Sequence, residues 1–412
     1  MLSVADAKVT HSPRKRVKKV KRQRVPKNLP VTQIMALTRR LTPRYCDLKL
    51  LLAVLGLSIF GILMIYSASK YNASVHYGDA FYYTIKQLIG LVLGIVGLGI
   101  MYFINYRHVK KWAYVIFGAA VVLLVAVFIP GIGISKLGAT RWIGVGSFSL
   151  QPSEIAKFAF VIFAARIFAH QHAIQQTKIT VPRWWQTILV MTAGGILCLL
   201  IILEPNMSIT MTVGIIMLTV LFLCGVRLKT LALILLPALG VVVLMLIAEP
   251  YRLKRLSAFI DPWANPKGEG FQLIESLYGI ANGGFWGVGY GNSVQKNMFL
   301  PFSESDFIFA IIAEEFGLVG CVALFAVFGW IVYRIFQIGR QCRDYFGRYL
   351  CYGIGTVIMV QAALNFAVST GCIPPTGLPL PFISFGGTSL LVFMMAIGIV
   401  LNVDKQNKIM LE

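Results

Sequence analysis

Acidic residues are scarce: 16 Asp and Glu stand against 38 Lys and Arg, and only 13% of the chain is charged. A soluble globular protein carries roughly 25%. With 57% hydrophobic residues and a mean hydropathy of +0.75, a water-soluble fold is excluded and a polytopic membrane protein is implied. The seven cysteines are odd in number and scattered, mostly within apolar runs, so no disulfide framework or metal-spaced cluster follows from them. No internal repeat occurs at a period of about 20 to 50 residues. The early stretch HSPRKRVKKVKRQRVPKNLP also lacks the apolar segment that a cleaved signal peptide requires.

What the chain has instead is long apolar runs. A membrane span needs about 20 largely apolar residues, and ten such runs are centred near residues 49–67, 83–105, 112–130, 154–170, 186–203, 208–225, 230–248, 306–333, 350–371 and 386–403. They are too long and continuous for the alternating strands of a barrel, and lipid leaves no backbone group unpaired, so the expectation is an all-α bundle. Lys and Arg set its orientation. The basic tail, YRHVKKW, TKITVPRWW, VRLK, RIFQIGRQCRDYFGR and VDKQNK fall on one side when the spans alternate, which places both termini in the cytoplasm. The organisation read from this is a basic tail (1–47), a transmembrane domain (48–405) with a large outer loop (249–305), and a short tail (406–412). Much of the net charge of +22 then faces anionic lipid. Nucleic acid is not an expected partner.

The outer loop breaks the charge rule. It holds Arg252, Lys254, Arg255, Lys267 and Lys296, with Gly283, Gly284, Gly287, Gly289 and Gly291, aromatic Trp263, Phe285 and Trp286, and polar Asn292, Ser293 and Gln295. Basic residues beside a glycine-rich backbone suit a ligand with an anionic head and an apolar tail. An amphipathic segment resting on lipid phosphates is the alternative. Three further outer clusters follow. Arg141 precedes the fourth span, where Glu154 and Lys157 share one helix face and either serve a site or neutralise each other. Glu204 and Pro205 mark a tight turn, and the Pro- and Gly-rich segment 365–391 offers Asn365 and Ser384. All four lie on one side, so a single outward-facing, partly hydrated cavity is expected. In LPFSESDFIFAIIAEEFG, Ser305 reads as the N-cap of a helix starting at Asp306, where an acid is favoured by the helix dipole. Glu314 and Glu315 lie deeper and need partners.

The segments GATRWI and QPSEIAK, EPYRLKRLSAFIDPW, GFQLIESL, GVGYGNSVQK, DFIFAIIAEEFG and PPTGLPLPFISFGGTSLL together resemble the SEDS family of cell-wall polymerases (FtsW, RodA and SpoVE), in order and over about residues 48–403. GNSVQK and DPW look more like the FtsW and SpoVE branch, FtsW being favoured. The resemblance implies a peptidoglycan glycosyltransferase that polymerises lipid II at the outer face of the cytoplasmic membrane, acting at the septum in cell division. It also implies a class B penicillin-binding protein as partner, with other divisome proteins. Asp306 matches the family's essential aspartate, and Arg141, Glu154 and Lys157 match its charged positions. Two departures stand out: Phe302 occupies the acid position after Leu-Pro, and Asn206 replaces the acid of the usual EPDLGT turn.

Glycosyl transfer from a prenyl diphosphate donor needs a base for the incoming hydroxyl and cations for the departing diphosphate. Asp306 is the expected base, and Arg141, Glu154, Lys157, Arg252, Lys296, Gln295, Asn292 and Ser384 are the expected substrate contacts. No ligand spacing indicates a metal site, although a divalent cation (Mg or Mn) could share the second task. A lipid II flippase would need a charged path to both faces, a scaffold would need no cavity carboxylates, and an elongation (RodA-like) or sporulation (SpoVE-like) polymerase would share the chemistry.

Overall fold

The computed structural model describes residues 45–136, 139–145, 148–175, 184–248, 250–268 and 270–411. The basic stretch before residue 45 lies outside them, as does most of TKITVPRWW. Each of the ten expected runs is helical: α1 (Leu48–Tyr77), α2 (Tyr82–Phe103), α3 (Tyr106–Ala126), α4 (Pro152–Gln175), α5 (Trp184–Leu203), α6 (Met207–Leu223) and α7 (Leu228–Ala248), then, after α8 (Pro250–Ile260) and α9 (Phe271–Gly283) of the long loop, α10 (Ile308–Gln341), α11 (Tyr345–Ser369) and α12 (Gly387–Leu411). Among the described residues seven helices, α1–α3, α5 and α10–α12, are long and apolar enough to cross a membrane by themselves. The other three carry an identifiable departure: α4 contains Glu154, Lys157 and Arg166, α6 has only 17 residues, and α7 has Pro237 inside it. The protein is a predominantly helical polytopic membrane protein.

Helix ends are set by short polar side chains. Asp47 Oδ1 accepts from Leu50 N at 3.2 Å to start α1, Asn105 Oδ1 accepts from Arg107 N to start α3, and Asp344 caps α11. Asn206, which stands where the family pattern has an acid, caps α6 through Ile209 N. Asn and Asp cap equally well, so that departure leaves the turn intact.

Helices α11 and α12 form the centre, with 67% and 72% of their apolar windows buried against 22% for α3. Lipid tails are as apolar as leucine, so packing relies on close backbone approach through small residues. On α2, Gly90 faces Gly387, while Gly94 and Gly97 face Met394 and Met395 of α12; a Cβ on Gly398 of α12 would stand 2.4 Å from the Leu98 carbonyl oxygen.

Two features depart from the expected architecture. A small antiparallel sheet, order β1–β2–β3 with β1 Gly133–Lys136, β2 Ala139–Val145 and β3 Phe148–Leu150, fills the connection between α3 and α4. It carries Arg141, and Thr388 at the start of α12 donates to the Ser149 carbonyl at 2.8 Å. The second departure is a break in α10, where Gly317 adopts φ 64° and ψ −162°. The break frees backbone groups that a membrane helix cannot leave unpaired. The loop after α9 takes them: Val288 N and Gly289 N donate to the carbonyls of Glu314 and Glu315, both at 3.0 Å, and Leu318 N and Val319 N donate to those of Gly284 and Phe285. Gly283 and Gly287 of GGFWGVGYG are thus needed here for approach to a broken helix. A Cβ on Gly287 would lie 2.2 Å from the Glu315 carbonyl oxygen, whereas Gly291, also left-handed at φ 83°, faces open space. Gly287→Ala is expected to lower unfolding stability by about 2 to 4 kcal/mol. Gly291→Ala should lose only the left-handed backbone penalty of about 1 to 2 kcal/mol, which tryptophan-fluorescence melting in detergent would separate.

Candidate active site at one end of the bundle

The acid-rich stretch separates into two layers. Deeper in the protein, Glu314 accepts from Ser293 Oγ, from Val294 N at 3.1 Å and from Gln295 N at 3.4 Å. Glu315 Oε1 accepts from Ser67 Oγ at 2.5 Å and Lys296 Nζ at 3.0 Å, and Lys296 also donates to Ser67. Glu314 and Glu315 are fully buried. The polar residues of GNSVQK thus provide the partners that these two acids need beside the helix break. Lys296 is committed to that ion pair, Gln295 is buried with its backbone amide N donating to Glu314, and Asn292 donates to the Val288 carbonyl at 3.1 Å within its own turn.

The second layer lies at the end of the bundle. Helix α10 begins at Ile308, with Phe307 as a cap that makes no side-chain bond. Ser305 is therefore not the N-cap expected from the sequence; its Oγ turns back to the Phe302 carbonyl, and Asp306 belongs to the turn before the helix. The Phe302 carbonyl accepts from the amides of Ser305, Asp306 and Phe307, and Phe302 itself is left-handed at φ 58°, an outlier for a bulky residue. Neighbouring segments fix this turn from three sides. Asn365 Nδ2 donates to the Asp306 carbonyl at 2.9 Å and to that of Leu378 at 2.8 Å. Ser384 Oγ donates to the Ser305 carbonyl at 2.6 Å while accepting from Leu380 N. Phe385 N donates to the Glu304 carbonyl, and Ser303 Oγ to that of Ala68.

The Asp306 residue keeps partial solvent access, yet its carboxyl group is closely packed: a Cβ on Gly377 would stand 3.0 Å from Oδ2. Burial raises this carboxyl from its ordinary 3.8 to about 7; a hydrogen bond from Ser305 opposes the shift, Glu304 adds to it, and Arg255 and Arg141 oppose it. Glu304 is buried, and burial raises its carboxyl too. A cavity of about 240 Å³ opens beside Arg255, lined also by Lys267, Gly268, Phe271, Gln272, Pro301 and Pro375. Arg255 was only one of several basic residues in the sequence; the structure makes it the one whose charge acts on Asp306 from that cavity. Arg252 lies in α8, its side chain outside the described residues.

The other clusters converge on the same end. Arg141 Nε donates to the Glu204 carbonyl at 3.2 Å and its Nη2 to that of Pro205, joining β2 to the α5–α6 turn. The Glu204 carboxyl group is buried and, among the described residues, has no hydrogen-bond partner; burial, opposed by Arg141, raises it to about 8. Glu154 and Lys157 are paired at 2.7 Å and buried. Lys157 also donates to Gln361, and Ser389 donates to Glu154 at 3.1 Å. Among the described residues no group of three or more His, Cys, Asp or Glu is placed to hold a metal ion.

A family model described as cell cycle protein, covering FtsW, RodA and SpoVE, matches residues 48–409. The chain is 37% identical over 364 residues to a probable peptidoglycan glycosyltransferase FtsW of Thioalkalivibrio sulfidiphilus, covering 87% of this chain and 90% of that one. It is 39% identical over 359 residues to a protein of the same description from Alcanivorax borkumensis (86% and 92% covered). With stage V sporulation protein E of Bacillus subtilis it shares 34% identity over 372 residues (90% and 99% covered). Among solved structures, a chain of a peptidoglycan synthase complex that coordinates polymerization and crosslinking superposes with a TM-score of 0.72 at 27% identity, over 88% of this chain and 98% of that one. The rod shape determining protein RodA of Thermus thermophilus shares the fold, with a TM-score of 0.65 at 23% identity (88% and 97% covered). The chain belongs to the SEDS family of FtsW, RodA and SpoVE proteins, on its FtsW branch.

Proposed function

We propose that the protein is a peptidoglycan glycosyltransferase that polymerises lipid II at the outer face of the cytoplasmic membrane, with Asp306 as general base. One observation carries the reading: a carboxyl raised to about 7 stands at the mouth of a helix within the electrostatic reach of Arg255 and Arg141. A base is most effective when its pKa lies near the working pH. The acceptor sugar hydroxyl gives its proton to Asp306 as its oxygen bonds to the anomeric carbon of the donor. The bond from that carbon to the diphosphate breaks, and the diphosphate leaves with the bonding electron pair toward Arg255 and Lys267. A magnesium-type cation bound through one or two carboxylates and substrate phosphates would fit this donor set. Glu304 and the substrate phosphates would hold it, leaving Asp306 free as the base, and it would neutralise charge on the leaving group.

In this reading Lys296, Gln295, Asn292, Ser384 and the Glu154–Lys157 pair position the site, and the cationic contacts to substrate come from α8 and the cavity wall. The flippase reading is less favoured, because two buried cations that could line a path through the bundle are held in ion pairs, Lys157 with Glu154 and Lys296 with Glu315. Partners in the proposal are lipid II and a class B penicillin-binding protein, with other divisome proteins at the septum, and both termini are cytoplasmic.

The test is polymerisation of lipid II by the purified protein with and without a class B partner. Arg255→Ala should reduce use of lipid II by an amount equivalent to about 1 to 3 kcal/mol, the range of a charge-assisted phosphate contact. Arg255 is the cleaner probe, since Arg141→Ala also releases the Glu204–Pro205 turn. Unchanged affinity and turnover in the folded variant would remove Arg255 from the site.

A further inference from the structure

The bundle end away from Asp306 carries a second cationic cavity. It has a volume of about 420 Å³ and is lined by Arg107, Lys110 and Lys111 of α3, Arg166 of α4 and Asp344. That size falls within the roughly 300 to 1,000 Å³ of small-molecule sites. Four cations face one acid, and the acid is already engaged. Asp344 Oδ1 accepts from Phe346 N as the α11 cap, and Oδ2 accepts from Tyr106 Oη at 3.2 Å. Lys110 reaches it only at 4.0 Å. Basic residues in the first turns of α3 are accounted for by orientation alone, but Arg166 lies further into its helix, nine residues before Gln175 of α4. Its Nε is shielded and, among the described residues, donates to no acceptor. An arginine inside a span marks a functional site by default. The mutual repulsion of these cations is a standing cost that a bound anion removes.

We propose that this cavity is a phosphate-binding site, its ligand the phosphate of an anionic phospholipid headgroup or of a soluble phosphate compound. Guanidinium groups match phosphate oxygens through paired N–H donors, and the lysines add point charges. A cavity at the membrane boundary between spans brings a lipid phosphate within reach of both helices. The site is independent of the chemistry at Asp306.

The test uses the full-length protein in neutral detergent with fluorescent phosphatidylglycerol as the probe. Saturable binding is expected, with phosphatidylcholine a poor competitor. Arg166→Gln and Lys110→Gln should each weaken binding about fivefold. Lys110 is partly exposed, so its variant keeps the test valid should Arg166→Gln fail to fold. Displacement of the lipid by millimolar inorganic phosphate would assign the site to soluble phosphates, and failure of phosphate to compete would assign it to lipid. Binding that neither substitution weakens, or equal competition by phosphatidylcholine, would overturn the proposal.

Discussion

Asp306→Asn is expected to slow lipid II polymerisation by about 10² to 10⁴, the usual contribution of a positioned general base, with folding and partner binding preserved. Asn keeps the volume of the side chain and most of its hydrogen-bonding capacity. It cannot accept the proton. The substitution leaves the local structure intact because the Asp306 turn is held by its backbone: Asn365 binds the Asp306 carbonyl and Ser384 the Ser305 carbonyl. The carboxylate itself caps no helix, since α10 starts two residues later without a side-chain cap. Near-normal polymerisation by a folded Asn variant in the presence of the partner would move the search to Glu304.

Lys296→Met is expected to be the most damaging substitution for stability, costing about 3 to 5 kcal/mol, because it leaves Glu315 as an uncompensated buried charge. The pair is buried at 3.0 Å, with Lys296 the more accessible partner. Since the loss comes from the stranded carboxylate, the double variant Lys296→Met, Glu315→Gln should recover more than half of it. Thermal unfolding of the three proteins in detergent would check this. A Lys296→Met protein that melts like the parent but no longer uses lipid II would make Lys296 a substrate contact instead.

The helices were legible because lipid imposes one rule on every span: about 20 apolar residues with all backbone groups paired internally. The convergence of Arg141, Glu204, Ser384 and Asn365 at one end followed from alternation of the spans and nothing finer. What escaped were properties of pairing between distant segments. The glycines at 283–291 have the composition of a ligand-binding loop, and only the break at Gly317 reveals that their neighbours are Glu314 and Glu315. The sheet at residues 133–150 is too short and too polar to announce itself in a chain dominated by long helical runs. Singling out Arg255 required knowing that Asp306 and the 240 Å³ cavity lie beside it, which the sequence of α8 alone does not tell. Asp306 itself was legible through its motif, while the burial that raises its carboxyl depends on Gly377 and the 371–386 segment, some 70 residues away along the chain.

The central claim is that Asp306 acts as a base whose carboxyl titrates near neutrality, and the pH dependence of polymerisation at limiting lipid II, which reports the free enzyme, tests it most directly. A base works deprotonated, and burial has raised this one, so the rate should climb with pH and reach half its maximum near the carboxyl value of about 7. The Asp306→Asn protein should keep only a low residual rate without that rise. A wild-type rate independent of pH between about 5 and 9, or the same midpoint in the Asn variant, would contradict the assignment.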